Sequence, residues 1–75
     1  MVEKKTDQEF NEFFSIVKRL RQECPWDRKQ TLKSMSEYLI EEGFELIAAI
    51  KKSNLPATNE ELGDVLLVVV MMMVL

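Results

Sequence analysis

A run of carboxylates in the second half of the chain has the types and spacings that gather a cation. Glu37, Glu41, Glu42 and Glu45 lie in one stretch, and Glu61 and Asp64 follow at an i, i+3 interval. If the first stretch is helical, Glu41, Glu42 and Glu45 share a sector of roughly 100°. Glu42 then sits at the edge of that sector beside Met35 and Leu46, partly buried. Glu37, Glu41 and Glu45 repeat every fourth residue, where like charges repel, and no Lys or Arg occurs from Glu37 through Ile50 to offset them. Such a grouping at a core boundary is unfavourable unless a cation is present. Carboxylates converging from two rigid helices make an all-oxygen site, which suits Mg²⁺ or Mn²⁺ rather than zinc. Mg²⁺ keeps waters and binds substrate phosphates, so the implied chemistry is phosphate transfer or hydrolysis. A plainer reading stands beside this one. Glutamate is a strong helix former, so the stretch also suits a solvated helix face. Thr58 and Glu61 have the S/T-x-x-E spacing of a helix start, so Glu61 also suits a capping role.

The composition removes the competing chemistries. There is no histidine, which excludes Ser-His-Asp and Cys-His catalysis and every His-based zinc site. The lone Cys24 forms neither an internal disulfide nor a CxxC site and fits a reducing cytoplasm. Acid–base or metal work therefore rests on the 13 Asp and Glu residues. A net charge of −3 argues against general nucleic-acid binding. The opening MVEKKTDQEF has no apolar core of a signal peptide. The apolar run Val65–Leu75 covers 11 residues, short of the roughly 20 that a membrane-spanning helix needs. The expectation is a cytoplasmic protein with no membrane partner.

The elements that must position the acids are three helical patterns separated by two breaks. The first is expected to begin at Thr6, which has capping-box spacing to Glu9. Phe10, Phe13, Phe14, Val17 and Leu20 form its apolar face. Pro25 ends it at or before Cys24, and Cys24 to Thr31 reads as a polar connector holding Trp26, the only tryptophan. The second helix is expected from about Thr31 to Lys52. Its apolar side includes Met35, Leu39, Ile40, Gly43, Leu46, Ile47 and Ile50. Ser53 to Ala57 forms the second break, and the third helix is expected from near Thr58. Antiparallel pairing of the last two helices would carry Glu61 and Asp64 toward Glu42 and Glu45. The third helix is apolar on every side after its first two turns, and such a helix must be covered all round. Two other helices of about 20 residues cannot do that. The expectation is an all-α bundle of antiparallel helices completed by oligomerisation, or by further chain beyond Leu75.

Taken together, Cys24-Pro25-Trp26-Asp27 with Gln30-Thr31, then Glu41-Glu42-x-x-Glu45, then Glu60-Glu61-Leu62-Gly63-Asp64 resemble the MazG family of nucleoside triphosphate pyrophosphohydrolases. The resemblance covers about Phe13 to Leu75. It implies an all-α fold whose helices pair across a homodimer or homotetramer. It also implies Mg²⁺-dependent cleavage of a nucleoside triphosphate between the α and β phosphates, giving a nucleoside monophosphate and pyrophosphate. By the same resemblance Glu42, Glu45, Glu61 and Asp64 are the expected metal ligands. Glu41 is the expected catalytic residue, orienting or deprotonating the attacking water. Lys18, Arg19, Arg21, Arg28, Lys29 and Lys33 are candidates for holding the outer phosphates, and Trp26 for stacking on the base.

The sequence departs from the family pattern at three points. Leu32 stands where a histidine usually follows the Gln-Thr pair, and Gly43 replaces the more usual alanine between the glutamates. The family domain normally continues for another helix beyond the position of Leu75, so residues 1–75 read as a single domain lacking its last helix. Two other functional readings remain beside the leading one. One is a non-catalytic helical oligomerisation or regulatory module with the same fold. The other is a related pyrophosphatase specific for phosphoribosyl-ATP, dUTP or dCTP.

Overall fold

Helix caps explain most of the architecture. The computed structural model describes residues 4–75, with side chains from Asp7 onward. Its helices are α1 (Lys4–Glu23), α2 (Pro25–Arg28), α3 (Leu32–Lys51) and α4 (Leu55–Met73), with no strand among the described residues. The chain is all-α, as the sequence predicts. α1 is already helical at Lys4, two residues ahead of the expected start. The Thr6 side chain, and with it the proposed box with Glu9, lies outside the described residues.

α1 stops where the residue before a proline is pushed out of helical geometry: Cys24 is extended, at φ −85° and ψ 118°. Pro25 then opens α2, one turn of helix inside the segment expected to be a polar connector. Proline suits the first helical position because its φ is preset and its missing N–H has no partner there. The Arg28 amide closes the turn on the Cys24 carbonyl at 2.9 Å.

α3 begins on a reciprocal cap. The Ser34 amide donates to Thr31 Oγ1 at 3.1 Å, and the Thr31 amide donates to Ser34 Oγ at 2.9 Å. Its other end is a Schellman turn. The Ser53 amide donates to Ile50 O and the Asn54 amide to Ala49 O, at 3.0 and 3.2 Å. Ser53 takes the left-handed conformation this turn requires, at φ 53°. Asn54 then serves a second helix, its Oδ1 accepting from the Ala57 amide at 3.1 Å. α4 therefore starts at Leu55 rather than near Thr58, with Pro56 inside its first turn, where proline costs no hydrogen bond. The Thr58 hydroxyl donates to Asn54 O at 2.8 Å. Thr58 is thus inside the helix, and the capping role considered for Glu61 is overturned.

This tight hinge folds α4 back along α3, and α1 packs on α4. Val17 of α1, Met35 of α3 and Val68, Val70 and Met71 of α4 form the buried core, flanked by Phe13, Phe14 and Leu39. The core is small and the molecule is flat, with extents of 38 × 34 × 16 Å. Its radius of gyration is 13.9 Å, against about 11 Å for a compact domain of this length. Its accessible surface is 5929 Å², against roughly 4800 Å² for a folded monomer of this mass. Large apolar side chains are among what is exposed. Ile40, Phe44 and Ile47 are exposed along α3, and Leu62, Leu66, Val69 and Met73 along α4. Gly43 lies in the α3 groove with Leu39, Ile40, Phe44 and Ile47. A Cβ there would meet nothing within 4 Å, so no other helix of this chain approaches it. Among the described residues no helix is long and apolar enough to cross a membrane.

Candidate metal centre

The α3–α4 hinge sets the register that brings the acids together. Glu42 and Glu45 are one turn apart on α3, and α4 lays its second turn against them with Glu61. One carboxylate oxygen from each of Glu42, Glu45 and Glu61 lies within 4.8 Å of the others. Glu42 and Glu61 are half-buried and Glu45 is exposed. The Oε2 atoms of Glu42 and of Glu61 are both shut off from solvent without a hydrogen-bond partner. Among the described residues the one salt bridge is Arg19–Glu23, at 3.6 Å on the surface of α1, so no Lys or Arg pairs with the cluster.

Close packing of acids without a cation raises their proton affinity. The Glu61 carboxyl is pushed from 4.5 to about 7, chiefly by burial, then by its contact with Glu45 and the charges of Glu45, Asp64 and Glu42. Glu42 is raised in the same direction by burial and by the charges of Glu45 and Asp64, partly offset by its contact with Glu61. The donor set is all oxygen and solvent reaches it from the Glu45 side. Its orphaned lone pairs lack only a positive partner. Glu42, Glu45 and Glu61 thus fit a hard divalent cation.

Asp64, one turn beyond Glu61 and half-buried, lies outside the three-residue group, though its charge reaches both Glu42 and Glu61. Glu41 is exposed on the neighbouring face of α3. It lines a polar cavity of about 370 Å³ with Gln30, Ser34, Glu37 and Tyr38. Trp26 stands beside that cavity, edge-on to Tyr38 at 5.9 Å between ring centroids. Gln30, Ser34 and Tyr38 are not among the site residues expected from the sequence. Ser34 and Tyr38 share α3 with Glu37 and Glu41 and Gln30 precedes it, but no spacing marks the three as a site.

The candidate cations divide. Lys18 sits over the Phe14 ring at 5.4 Å. Arg28 and Lys29 are exposed beside Pro25. Arg21 is half-buried, and its Nη1 donates to the carbonyls of Asp27 and Gln30 at 2.7 and 3.0 Å, tying α1 to the connector. Asp27 is 2% exposed and its Oδ1 has no partner. Cys24 is a free, half-buried thiol.

The pattern of the MazG nucleotide pyrophosphohydrolase domain matches residues 30–75, which carry the capped start of α3, the hinge and the whole acidic cluster. A Thermotoga maritima protein named nucleoside triphosphate pyrophosphohydrolase/pyrophosphatase MazG is 56% identical over 63 residues, covering 81% of this chain and 25% of that protein. The Bacillus subtilis protein YabN is 49% identical over 84% of this chain and 13% of its own length. An Escherichia coli K12 nucleoside triphosphate pyrophosphohydrolase is 35% identical over 83% and 25% respectively. The chain spans a quarter or less of the length of these relatives.

Proposed function

The chain belongs to the MazG nucleotide pyrophosphohydrolase family, and from that premise we propose that it hydrolyses nucleoside triphosphates between the α and β phosphates, with Mg²⁺ held by Glu42, Glu45, Glu61 and Asp64. Mn²⁺ has the same ligand preference and would serve in its place. The observation that carries this reading is the convergence of Glu42, Glu45 and Glu61 within 4.8 Å, with buried lone pairs and, among the described residues, no paired cation. A triphosphate brings about four negative charges, which an acidic site accepts only across a bridging cation. When bound, the cation neutralises phosphate oxygens and lowers the pKa of a coordinated water.

The protein's own groups supply the rest. Glu42 and Glu61, packed between α3 and α4, fix the ligand geometry, and Asp64 adds a fourth carboxylate from the next turn. Glu45 is the exposed member and marks the side from which the phosphate chain enters. Glu41, next to Glu42 in sequence and unburied, is the general base, its carboxylate taking the proton of the attacking water. Lys18, Arg28 and Lys29 would hold outer phosphates, Arg21 would keep the connector in place, and Trp26 would meet the base. The biological role would be removal of surplus or aberrant triphosphates in the cytoplasm.

The exposed apolar side chains of α3 and α4 support assembly with a second copy of the chain. The surface beyond that of a compact monomer is about 1,100 Å², more than the roughly 800 Å² that each partner contributes to a standard interface. Ile40, Phe44 and Ile47 are the face proposed to pair in a homodimer or homotetramer. Incubating the purified chain with ribo- and deoxyribonucleoside triphosphates and Mg²⁺, with pyrophosphate and orthophosphate measured separately, tests the activity. Pyrophosphate release is expected. Its absence with every triphosphate, in a folded sample, would sink the proposal.

A further inference from the structure

The cavity next to Glu41 is built more carefully than a surface dent. Gln30 is held at both ends of its amide. Its Nε2 donates to Trp26 O at 3.1 Å, and its Oε1 accepts from Ser34 Oγ at 2.9 Å. A carbonyl only accepts, so the NH₂ end faces Trp26; a flipped amide would set its Oε1 against the Trp26 carbonyl and lose that bond. One N–H and one lone pair of Gln30 remain for a ligand. Ser34 is itself fixed by the α3 cap, and Tyr38 is braced edge-on by Trp26. The result is a donor and an acceptor of fixed polarity beside an aromatic wall, with the Glu37 carboxylate on the rim.

Its position follows from helix geometry. At about 100° per residue Glu45 falls between Glu42, which faces α4, and Glu41, which faces the cavity. At about 1.5 Å rise per residue, Tyr38 lies roughly 10 Å along α3 from Glu45. That is the order and scale of a nucleotide laid on the helix with its phosphates at the acids. From these relations we infer that Gln30, Ser34, Glu37 and Tyr38 form the nucleoside subsite, with Gln30 reading the base edge and Glu37 accepting from sugar hydroxyls. A primary amide of fixed orientation discriminates between bases because donor facing donor leaves a polar group unpaired. This inference rests on the nucleotide reading above and deepens it.

The test uses binding, so that it stands apart from hydrolysis. Trp26 is the only tryptophan and touches Tyr38, so its emission reports occupancy of the cavity. The full chain is titrated with the four nucleoside 5′-monophosphates and, in parallel, with inorganic tripolyphosphate, each with Mg²⁺. The monophosphates are expected to change the emission saturably, with affinities that differ between bases. Gln30→Ala and Tyr38→Ala, both at partly or fully exposed positions, are expected to weaken the monophosphates about 3- to 10-fold and narrow the differences between bases. The affinity for tripolyphosphate, measured by calorimetry, is expected to stay the same in both variants. Two results overturn the inference: monophosphate affinities unchanged in both variants, or an equal loss for tripolyphosphate. A wild-type chain that binds tripolyphosphate with Mg²⁺ but no monophosphate also overturns it. A chain that binds monophosphates as described yet releases no pyrophosphate instead defeats the hydrolytic reading alone.

Discussion

Glu42 and Glu61 face one another across the α3–α4 pair, each with an Oε2 atom that is buried and accepts no hydrogen bond. Two half-buried acids so placed strain the fold unless a proton or a cation joins them. The relationship therefore has consequences for stability as well as for chemistry.

The first consequence is a pH dependence. Glu61 is raised from 4.5 to about 7 in the folded chain, and Glu42 is raised too. Between those values the folded state holds more protons than the unfolded state, so stability falls as pH rises through that window. Without divalent metal, thermal unfolding should occur at higher temperature at pH 5 than at pH 8. Added Mg²⁺ should remove most of that difference by replacing the proton, with protons released on binding. Calorimetric scans with EDTA and with Mg²⁺ check both statements.

Glu61→Gln removes one ligand and one repelling charge together. In EDTA at pH 8 the variant should be at least as stable as the parent, because the repulsion is gone. It should also lose the stabilisation that Mg²⁺ gives the parent and at least about 100-fold in kcat. A variant that is destabilised in EDTA yet still shifts with Mg²⁺ would place the cation elsewhere.

Glu41→Gln separates base from ligand. Glu41 stands outside the three-carboxylate group, so the Mg²⁺-dependent thermal shift should persist. Loss of a general base should lower kcat by about 10²- to 10⁴-fold with little change in KM. Steady-state kinetics beside thermal shifts distinguish this from a ligand role.

Ser53 holds the left-handed position of the hinge at φ 53° without being glycine. Ser53→Gly should relieve that strain and stabilise the chain by up to about 1 kcal/mol, readable by urea denaturation. The gain should leave activity unchanged, since the hinge keeps its register.

Much of this fold was legible because the signals are local. Pro25 stops α1, the second helix starts close to Thr31, and the i, i+3 pairs Glu42–Glu45 and Glu61–Asp64 announce acids on facing turns. The length and antiparallel pairing of the last helices followed from these. What escaped were choices made between local alternatives. Pro56 reads as a break, yet after an Asn54 cap it fits a first helical turn, and so α4 began earlier than expected. Pro25 reads as a terminator, yet it also opens the single turn of α2. The cavity of Gln30, Ser34 and Tyr38 was missed because its residues are ordinary polar types whose meaning depends on hydrogen bonds no spacing reveals. Arg21, one of the expected phosphate-binding cations, was legible only as a charge. In the fold its guanidinium carries the carbonyls of Asp27 and Gln30.

The most direct measurement is crystallographic: the chain grown with Mn²⁺ and a non-hydrolysable triphosphate, with diffraction collected at the manganese edge. An anomalous peak coordinated by Glu42, Glu45, Glu61 and Asp64 is expected, with the phosphate chain on the Glu45 side. A peak remote from these carboxylates, or none at saturating Mn²⁺, would contradict it.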